Sequence, residues 1–149
     1  DRFRRRSVTS CRAALNGYQK GKCFYCFRDF QLDGACNPEV DHFFPHALKQ
    51  AGFGVIVDGV WNLVLACRQC NSGVDGKSAR VPAERLLYRL SNRNEFLINS
   101  HHPLRETLMQ QTGTTEQQRD GFLREFHTQA RLSMPAAMWN AIEVGRPLF

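Results

Sequence analysis

Hydrophobic residues have helical spacing in the second half of the chain and form short runs in the first half. Between residues 83 and 98 they recur as on one face of an α-helix. We therefore predict a helix over 83–98, whose apolar face contains Leu86, Leu87, Leu90, Phe96 and Leu97.

Three further helices are predicted after this one. The first spans 104–112 and ends before a glycine. Thr114 and Gln117 then have the spacing of a capping box, which predicts a second helix as far as residue 132. Pro135 begins a last short helix that extends through residue 142.

The short apolar runs of the first half favour β-strands. Residues 39–44, 55–57 and 60–66 are such runs, and Asp58-Gly59 between the last two is typical of a hairpin turn. The pattern alone pairs 55–57 with 60–66, while the strand 39–44 is a competing partner for 60–66. A short helix is predicted over 68–74.

The length of 149 residues is enough for one domain, which we divide into a basic lead-in (1–22), a core (23–81) and a helical extension (82–149). No segment approaches the ~20 apolar residues of a membrane span, and no apolar signal segment follows the basic start. We therefore expect no membrane contact and a cytoplasmic location. Because the chain begins with Asp1 instead of Met, we expect it to be a part of a larger protein.

The positive charge is concentrated near the N-terminus. The net charge is +6, with 16 Arg and 4 Lys. Residues 1–34 carry eight Lys or Arg against three Asp or Glu, whereas the remainder carries twelve against eleven. Arginine forms bidentate contacts with phosphate, so this charge predicts nucleic acid as the partner, contacted by Arg4, Arg5 and Arg6. The alternative is a solvated basic arm.

Two Cys-x-x-Cys pairs, Cys23 with Cys26 and Cys67 with Cys70, lie on either side of the predicted strands. Together they supply the four thiolates of a closed, tetrahedral structural zinc site. Disulfides are disfavoured by this pairing and by the missing export signal. The two remaining cysteines, Cys11 and Cys36, are predicted to be ordinary thiols.

Polar residues suited to a second metal accompany the cysteine pairs. Asp41 and His42 lie between them, and Asn71 directly follows the last cysteine. Carboxylate and amide oxygens suit Mg²⁺ or Mn²⁺, and a neutral imidazole can take a proton from water near neutral pH. Because side chains alternate along a regular strand, Asp41 and His42 should point to opposite sides of it.

These motifs in combination resemble the HNH endonuclease superfamily, the ββα-metal nucleases, and in particular its zinc-containing, McrA-like branch. The resemblance covers about residues 23–80 and rests on both cysteine pairs, Asp-His-x-x-Pro, Trp61-Asn62-Leu63-Val64 and Cys-x-x-Cys-Asn. It implies an α+β fold with a small zinc-stapled ββα-metal core, followed here by the helical C-terminal extension. In that topology the strand of Asp41 and His42 pairs with the strand 62–66, and Asn71 lies on the helix.

The resemblance also implies a role for each matching residue. Asp41 is the first metal ligand, His42 the general base, Asn62 a brace for the loop around the base, and Asn71 the second metal ligand. The implied activity is cleavage of DNA with Mg²⁺ or Mn²⁺, in a prokaryotic or phage-encoded protein of restriction or phage defence.

Two other functions remain open at this stage. The chain could be a non-catalytic zinc module that binds nucleic acid or protein, or a nuclease that acts on RNA. His46 is predicted to be a surface or loop residue, with contact to the active site or to a phosphate as the alternative. His101 and His102 are predicted to be helix-entry residues without a metal. Three further candidates for phosphate contacts lie on or just beyond the predicted metal helix: Arg68, Lys77 and Arg80.

Overall fold

The computed structural model of the chain describes residues 2–30 and 37–149, with side chains from residue 11 onward within those ranges. These residues form a mixed α+β fold, in which helices and a small two-stranded sheet share one hydrophobic core. In chain order the elements are α1 (Arg2–Gln19), β1 (Glu39–His42), β2 (Leu63–Ala66), α2 (Arg68–Asn71), α3 (Glu84–Asn99), α4 (Arg105–Thr112) and α5 (Glu116–Ser133). Three 3-10 helices lie between the strands: His46–Lys49, Gly54–Asp58 and Val60–Asn62.

The sheet pairs the strand of Asp41 and His42 with the apolar run that leads to the second cysteine pair. β1 is antiparallel to β2, with Asp41 opposite Val64 and His42 opposite Leu63. This register confirms the pairing that the resemblance implies. The helix predicted after Cys67 is present as the single turn α2.

The predicted strand 55–57 is wrong, because this run lies in the 3-10 helix Gly54–Asp58. Its carbonyl groups are satisfied by side chains instead of by a neighbouring strand. Trp61 Nε1 donates to the carbonyl of Ile56 at 2.8 Å, and Asn62 Nδ2 donates to the carbonyl of Val57 at 2.8 Å. Since β1 pairs with β2, no hairpin forms at Asp58-Gly59.

The helix α1 runs through Asn16 and Gly17, a pair of residues that is common in turns and at helix ends. Gln19, in its last turn, is fully buried and hydrogen-bonds both backbone groups of Leu65, with Nε2 donating at 2.8 Å and Oε1 accepting at 2.9 Å. Gln19 therefore takes the place of a further strand beside β2. The helix ends where Lys20 and Gly21 adopt positive φ angles of 51° and 78°.

The helical extension agrees with the prediction for α3 and α4, but two details differ. The capping box of α5 is formed by Thr115 with Gln118, one residue later than predicted. The predicted helix from Pro135 is wrong. Residues there are extended, and Trp139 forms backbone hydrogen bonds with Val81 and Ala83 in place of a helical ladder.

The C-terminal segment, residues 139–149, returns to the first cysteine pair. The backbone N–H groups of Val144 and Gly145 both donate to the carbonyl of Cys26, at 2.8 and 3.0 Å. The ring of Phe149 stacks on that of Phe24 at 6.0 Å between centroids. The extension thus packs directly against the segment that carries Cys23 and Cys26.

Candidate metal centres and polar site

The four predicted zinc ligands form one buried cluster. Cys23 and Cys26 precede β1, Cys67 lies between β2 and α2, and Cys70 is on α2. Their Sγ atoms all lie within 4.8 Å of one another, and those of Cys26 and Cys67 are 3.7 Å apart. A tetrahedron with zinc–sulfur bonds of about 2.3 Å has edges of about 3.8 Å. The cluster therefore fits a structural zinc ion in donor type, number and spacing.

Backbone N–H groups support the thiolate form of these cysteines. Cys23 Sγ accepts from the N–H groups of Tyr25 at 3.4 Å and Cys67 at 3.3 Å, and Cys67 Sγ accepts from Cys70 N–H at 3.4 Å. The hydrogen bond with Cys23 lowers the pKa of the Cys26 thiol to about 7. Proton sharing with Cys23 likewise lowers the pKa of Cys67. The same hydrogen bonds raise the pKa values of Cys23 and Cys70, so the four thiols share their protons, which metal binding would displace.

Asp41 lies in a buried polar triad with Tyr25 and Lys77. Its Oδ2 accepts from the Tyr25 hydroxyl at 2.6 Å and lies 3.3 Å from Lys77 Nζ. Burial raises the pKa of the Asp41 carboxyl above its ordinary value, although Lys77 and Tyr25 act in the opposite direction. Burial also lowers the pKa of Lys77. The triad connects the first Cys-x-x-Cys pair to the middle of β1.

Two further oxygen donors lie beside this triad. Glu39 is two residues before Asp41 on β1, so both side chains emerge on the same face. Asn71 Nδ2 donates to Glu39 Oε1 at 3.0 Å, which places the amide of α2 against this face of the strand. Carboxylate and amide oxygens of this kind fit Mg²⁺ or Mn²⁺ in donor type, while the ammonium of Lys77 already neutralises Asp41.

His42 lies on the other face of β1, in a cluster around Asp58. His42 Nε2 is hydrogen-bonded to Asp58 Oδ1 at 2.9 Å, and Lys49 Nζ donates to Oδ2 of the same carboxylate at 2.7 Å. His46 Nε2 lies 4.0 Å from Asp58 Oδ1, and its ring is edge-on to that of His42. Partial burial raises the pKa of Asp58, but the hydrogen bonds from Lys49 and His42 outweigh burial and lower it overall. Asp58 is therefore ionised at neutral pH and fixes the His42 ring.

Asn62 braces the loop that carries this cluster. It is fully buried, and its Oδ1 accepts from Phe44 N–H at 2.7 Å. Its Nδ2 donates to the carbonyls of Phe44 at 3.0 Å and Val57 at 2.8 Å. One side chain thus joins the residues after β1 to the 3-10 helix that ends at Asp58.

Replacing Asn62 by alanine should lower the free energy of unfolding by about 3 kcal/mol. The change leaves three buried backbone groups without partners, and an unsatisfied buried group costs about 1–3 kcal/mol. Urea unfolding followed by circular dichroism measures this loss. Asn92→Ala, an exposed asparagine on α3, is the control and should change stability by less than about 0.5 kcal/mol. Equal stabilities of the two variants would contradict the bracing role.

The predicted phosphate contacts are in different environments. Lys77 is completely buried, so its ammonium is not offered to a phosphate, and that prediction is wrong because Lys77 pairs with Asp41 instead. Arg68 is exposed, and Arg80 is half-buried with Nη2 donating to the carbonyl of Gly76 at 2.9 Å. Cys36 and the side chains of Arg4, Arg5 and Arg6 lie outside the described residues.

The most important site residue that the sequence analysis missed is Asp58. The sequence presents it as a turn residue before a glycine, and no spacing rule connects it to His42, 16 positions away. Tyr25 is a second residue that the sequence analysis missed: it is fully buried, and its hydroxyl donates to Asp41 Oδ2. The sequence did contain one signal for the His42–Asp58 pair, because Asp58 is an acidic residue in the loop between His42 and Asn62.

Comparison of the chain with protein-family models, curated proteins and solved structures finds no match. Within the described residues, no helix has both the length and the apolar character needed to cross a membrane.

Proposed function

We propose that this chain is an HNH-type endonuclease with a zinc-stapled ββα-metal core that hydrolyses phosphodiester bonds in DNA. The observation that carries the proposal is the His42–Asp58 pair at the end of β1, in a loop braced by Asn62. Asp41 and Asn71 supply oxygen donors on the opposite face of β1. The order β1, β2, α2, with cysteines before the first strand and on the helix, supports the same assignment.

In this proposal His42 takes a proton from the attacking water. Its Nε2 faces an ionised carboxylate 2.9 Å away, so the ring proton resides on Nε2 and the lone pair on Nδ1. Asp58 also stabilises the imidazolium that forms when Nδ1 accepts the proton, as a buried carboxylate does in other histidine-based hydrolases. Lys49 holds the second oxygen of Asp58 and so fixes the orientation of the pair.

Asp41 and Asn71, with Glu39 beside them, are the residues that would hold Mg²⁺ or Mn²⁺. When bound, such an ion supplies stabilisation of the negative charge on the phosphate and the leaving oxygen. The zinc ion at the cysteines has a separate, structural role, because four thiolates leave no open coordination position for a substrate.

Charge supports a nucleic acid as substrate. The net charge is +6, arginine outnumbers lysine four to one, and Arg68 is exposed on α2 next to Asn71. We propose DNA as the substrate and a restriction or phage-defence protein as the context, and RNA as the alternative substrate.

A second candidate function is a zinc module that binds nucleic acid or protein without cleaving it. Two observations favour it. Lys77 already neutralises Asp41, and His42 is only 7% exposed. In this case the side chains around Asp41 and Asp58 form a structural network, and replacing any one of them lowers the stability of the fold and affects no catalytic step.

Replacing Asp58 by asparagine separates these two functions. The variant keeps the shape of the side chain but loses the charge that fixes the His42 tautomer, so the cleavage rate should fall by about 100-fold or more. The measurement is single-turnover cleavage of duplex DNA, with single-stranded RNA of the same sequence in parallel. Asp29→Asn is the control, since Asp29 forms an exposed ion pair with Lys22. Equal cleavage by both variants would refute the His42–Asp58 mechanism, and absence of cleavage by the unaltered protein would favour the binding module.

A further inference from the structure

Lys77 is a resident cation beside the proposed metal ligand Asp41. Its Nζ is 3.3 Å from Asp41 Oδ2 and donates to the carbonyls of His42 at 3.0 Å and Ser78 at 3.4 Å. These three contacts match the three protons of an ammonium group, and the side chain is completely buried. These contacts therefore account for all the hydrogen-bond donors of the Lys77 ammonium.

The position of this ammonium conflicts with a divalent ion on the same carboxylate. Asp41 Oδ2 already accepts from the Tyr25 hydroxyl at 2.6 Å and faces Lys77. Two cations that share one buried carboxylate repel each other strongly, because the low dielectric of the interior provides little screening. A divalent ion on Asp41 must therefore displace the ammonium or bind against its repulsion.

The segment that carries Lys77 is anchored to the cysteine cluster through its backbone. Lys77 N–H donates to the carbonyl of Cys70 at 2.6 Å. Asp75 and Ser78, on either side of Lys77, adopt positive φ angles of 62° and 48°, which are uncommon for residues other than glycine. The backbone of Lys77 is therefore fixed beside Asp41, and an exchange of cations at that carboxylate has to take place by movement of the Lys77 side chain.

We propose that Lys77 and a divalent cation compete for Asp41, so that the site has two states. In the first state the ammonium of Lys77 neutralises Asp41. In the second state Mg²⁺ or Mn²⁺ does so, with oxygen atoms of Glu39 and Asn71 as further ligands, and Lys77 leaves the carboxylate. This inference rests on the proposed function, in which Asp41 is a ligand of the divalent ion. It adds Lys77 as the residue that controls access of that ion.

The test is the affinity of the zinc-loaded protein for Mn²⁺, measured by isothermal titration calorimetry and by the electron paramagnetic resonance signal of free Mn²⁺. Lys77→Met removes the charge and keeps most of the side-chain volume, and it should bind Mn²⁺ at least about tenfold more tightly than the unaltered protein. Adding Asp41→Asn to this variant should abolish the gain. Lys22→Met is the matched control, because it removes a lysine charge from the ion pair with the exposed Asp29, outside both polar clusters, and should leave the affinity unchanged. Equal affinities of Lys77→Met and the unaltered protein, or no binding by either, would overturn the proposal.

A measurement on the unaltered protein covers the case in which Lys77→Met does not fold. Acylation with an amine-specific reagent, read out by mass spectrometry, should leave Lys77 unmodified without Mg²⁺ and modify it at saturating Mg²⁺. Exposed lysines such as Lys20 serve as the internal reference. Protection of Lys77 that does not change with Mg²⁺ would overturn the competition. A Mg²⁺-dependent change without DNA cleavage would refute the nuclease function alone.

Discussion

Replacing Cys67 by serine should release the zinc and leave the protein largely unfolded. Cys67 supplies one of the four clustered sulfur atoms, and it begins the turn of α2 by accepting from Cys70 N–H. Binding of zinc to such a site contributes on the order of 10 kcal/mol to folding, which is comparable with the whole stability of a domain, about 5–15 kcal/mol. Elemental analysis should give one zinc per unaltered chain and none per variant chain, and the far-ultraviolet circular dichroism of the variant should lose most of its helical signal.

Cys11→Ser is the matched control for this experiment. Cys11 is also a buried cysteine, but it lies on α1 and outside the cluster. This variant should retain one zinc and a cooperative thermal transition. If Cys67→Ser retained the zinc and the native circular dichroism spectrum, the four-cysteine centre would not be a structural metal site.

His42→Ala should reduce DNA cleavage by about 100- to 10,000-fold, the range over which a general base contributes. The variant should keep its zinc, because the His42 side chain faces Asp58 and not the cysteine cluster. Its affinity for DNA should also persist, since the loss concerns proton transfer and not phosphate contacts. Single-turnover rates at saturating DNA, with fluorescence anisotropy for affinity, separate the two effects.

His101→Ala is the control for the loss of an imidazole. His101 is exposed between α3 and α4 and belongs to neither polar cluster. Its replacement should leave the cleavage rate unchanged. A rate for His42→Ala within threefold of this control would remove His42 from the mechanism and with it the assignment of the His42–Asp58 pair.

The cysteine cluster could be predicted from the sequence because it depends on fixed spacing, whereas the β1–β2 pairing was implied only by the resemblance and competed with a local hairpin. A Cys-x-x-Cys pair places two sulfur atoms on one side of a tight turn, and two such pairs complete a tetrahedron wherever the chain brings them together. The helix α3 was predictable because its apolar positions have a regular period, and α4 because Pro103 and Gly113 bound it in the sequence.

The features that were not predicted depend on contacts between residues distant in sequence. The run 55–57 has strand-forming residues, but Trp61 and Asn62 take its carbonyls. Gly17 does not end α1, because Gln19 in the next turn hydrogen-bonds to β2. Tertiary hydrogen bonds outweigh local propensity at both places.

The same limit applies to the polar site. In the sequence, Lys77 follows the predicted metal helix, and a lysine at that position favours a phosphate contact. Its burial against Asp41 depends on the tertiary fold and has no signal in the sequence. Asp58 reaches His42 because the 3-10 helix Gly54–Asp58 replaces the predicted strand. Because the sequence analysis predicted a strand at 55–57, it did not identify Asp58 as the partner of the proposed base His42.

The most direct test of the nuclease proposal is the incubation of supercoiled plasmid with the zinc-loaded protein and Mg²⁺, with Mn²⁺ in parallel. Gel electrophoresis follows the conversion to nicked and linear DNA, and a chelator that removes Mg²⁺ but leaves the buried zinc provides the comparison. The account predicts conversion that requires the added divalent ion and that is absent with His42→Ala. Plasmid that stays supercoiled under all these conditions, while the folded protein binds it, would contradict the account and identify the chain as a zinc-containing binding module.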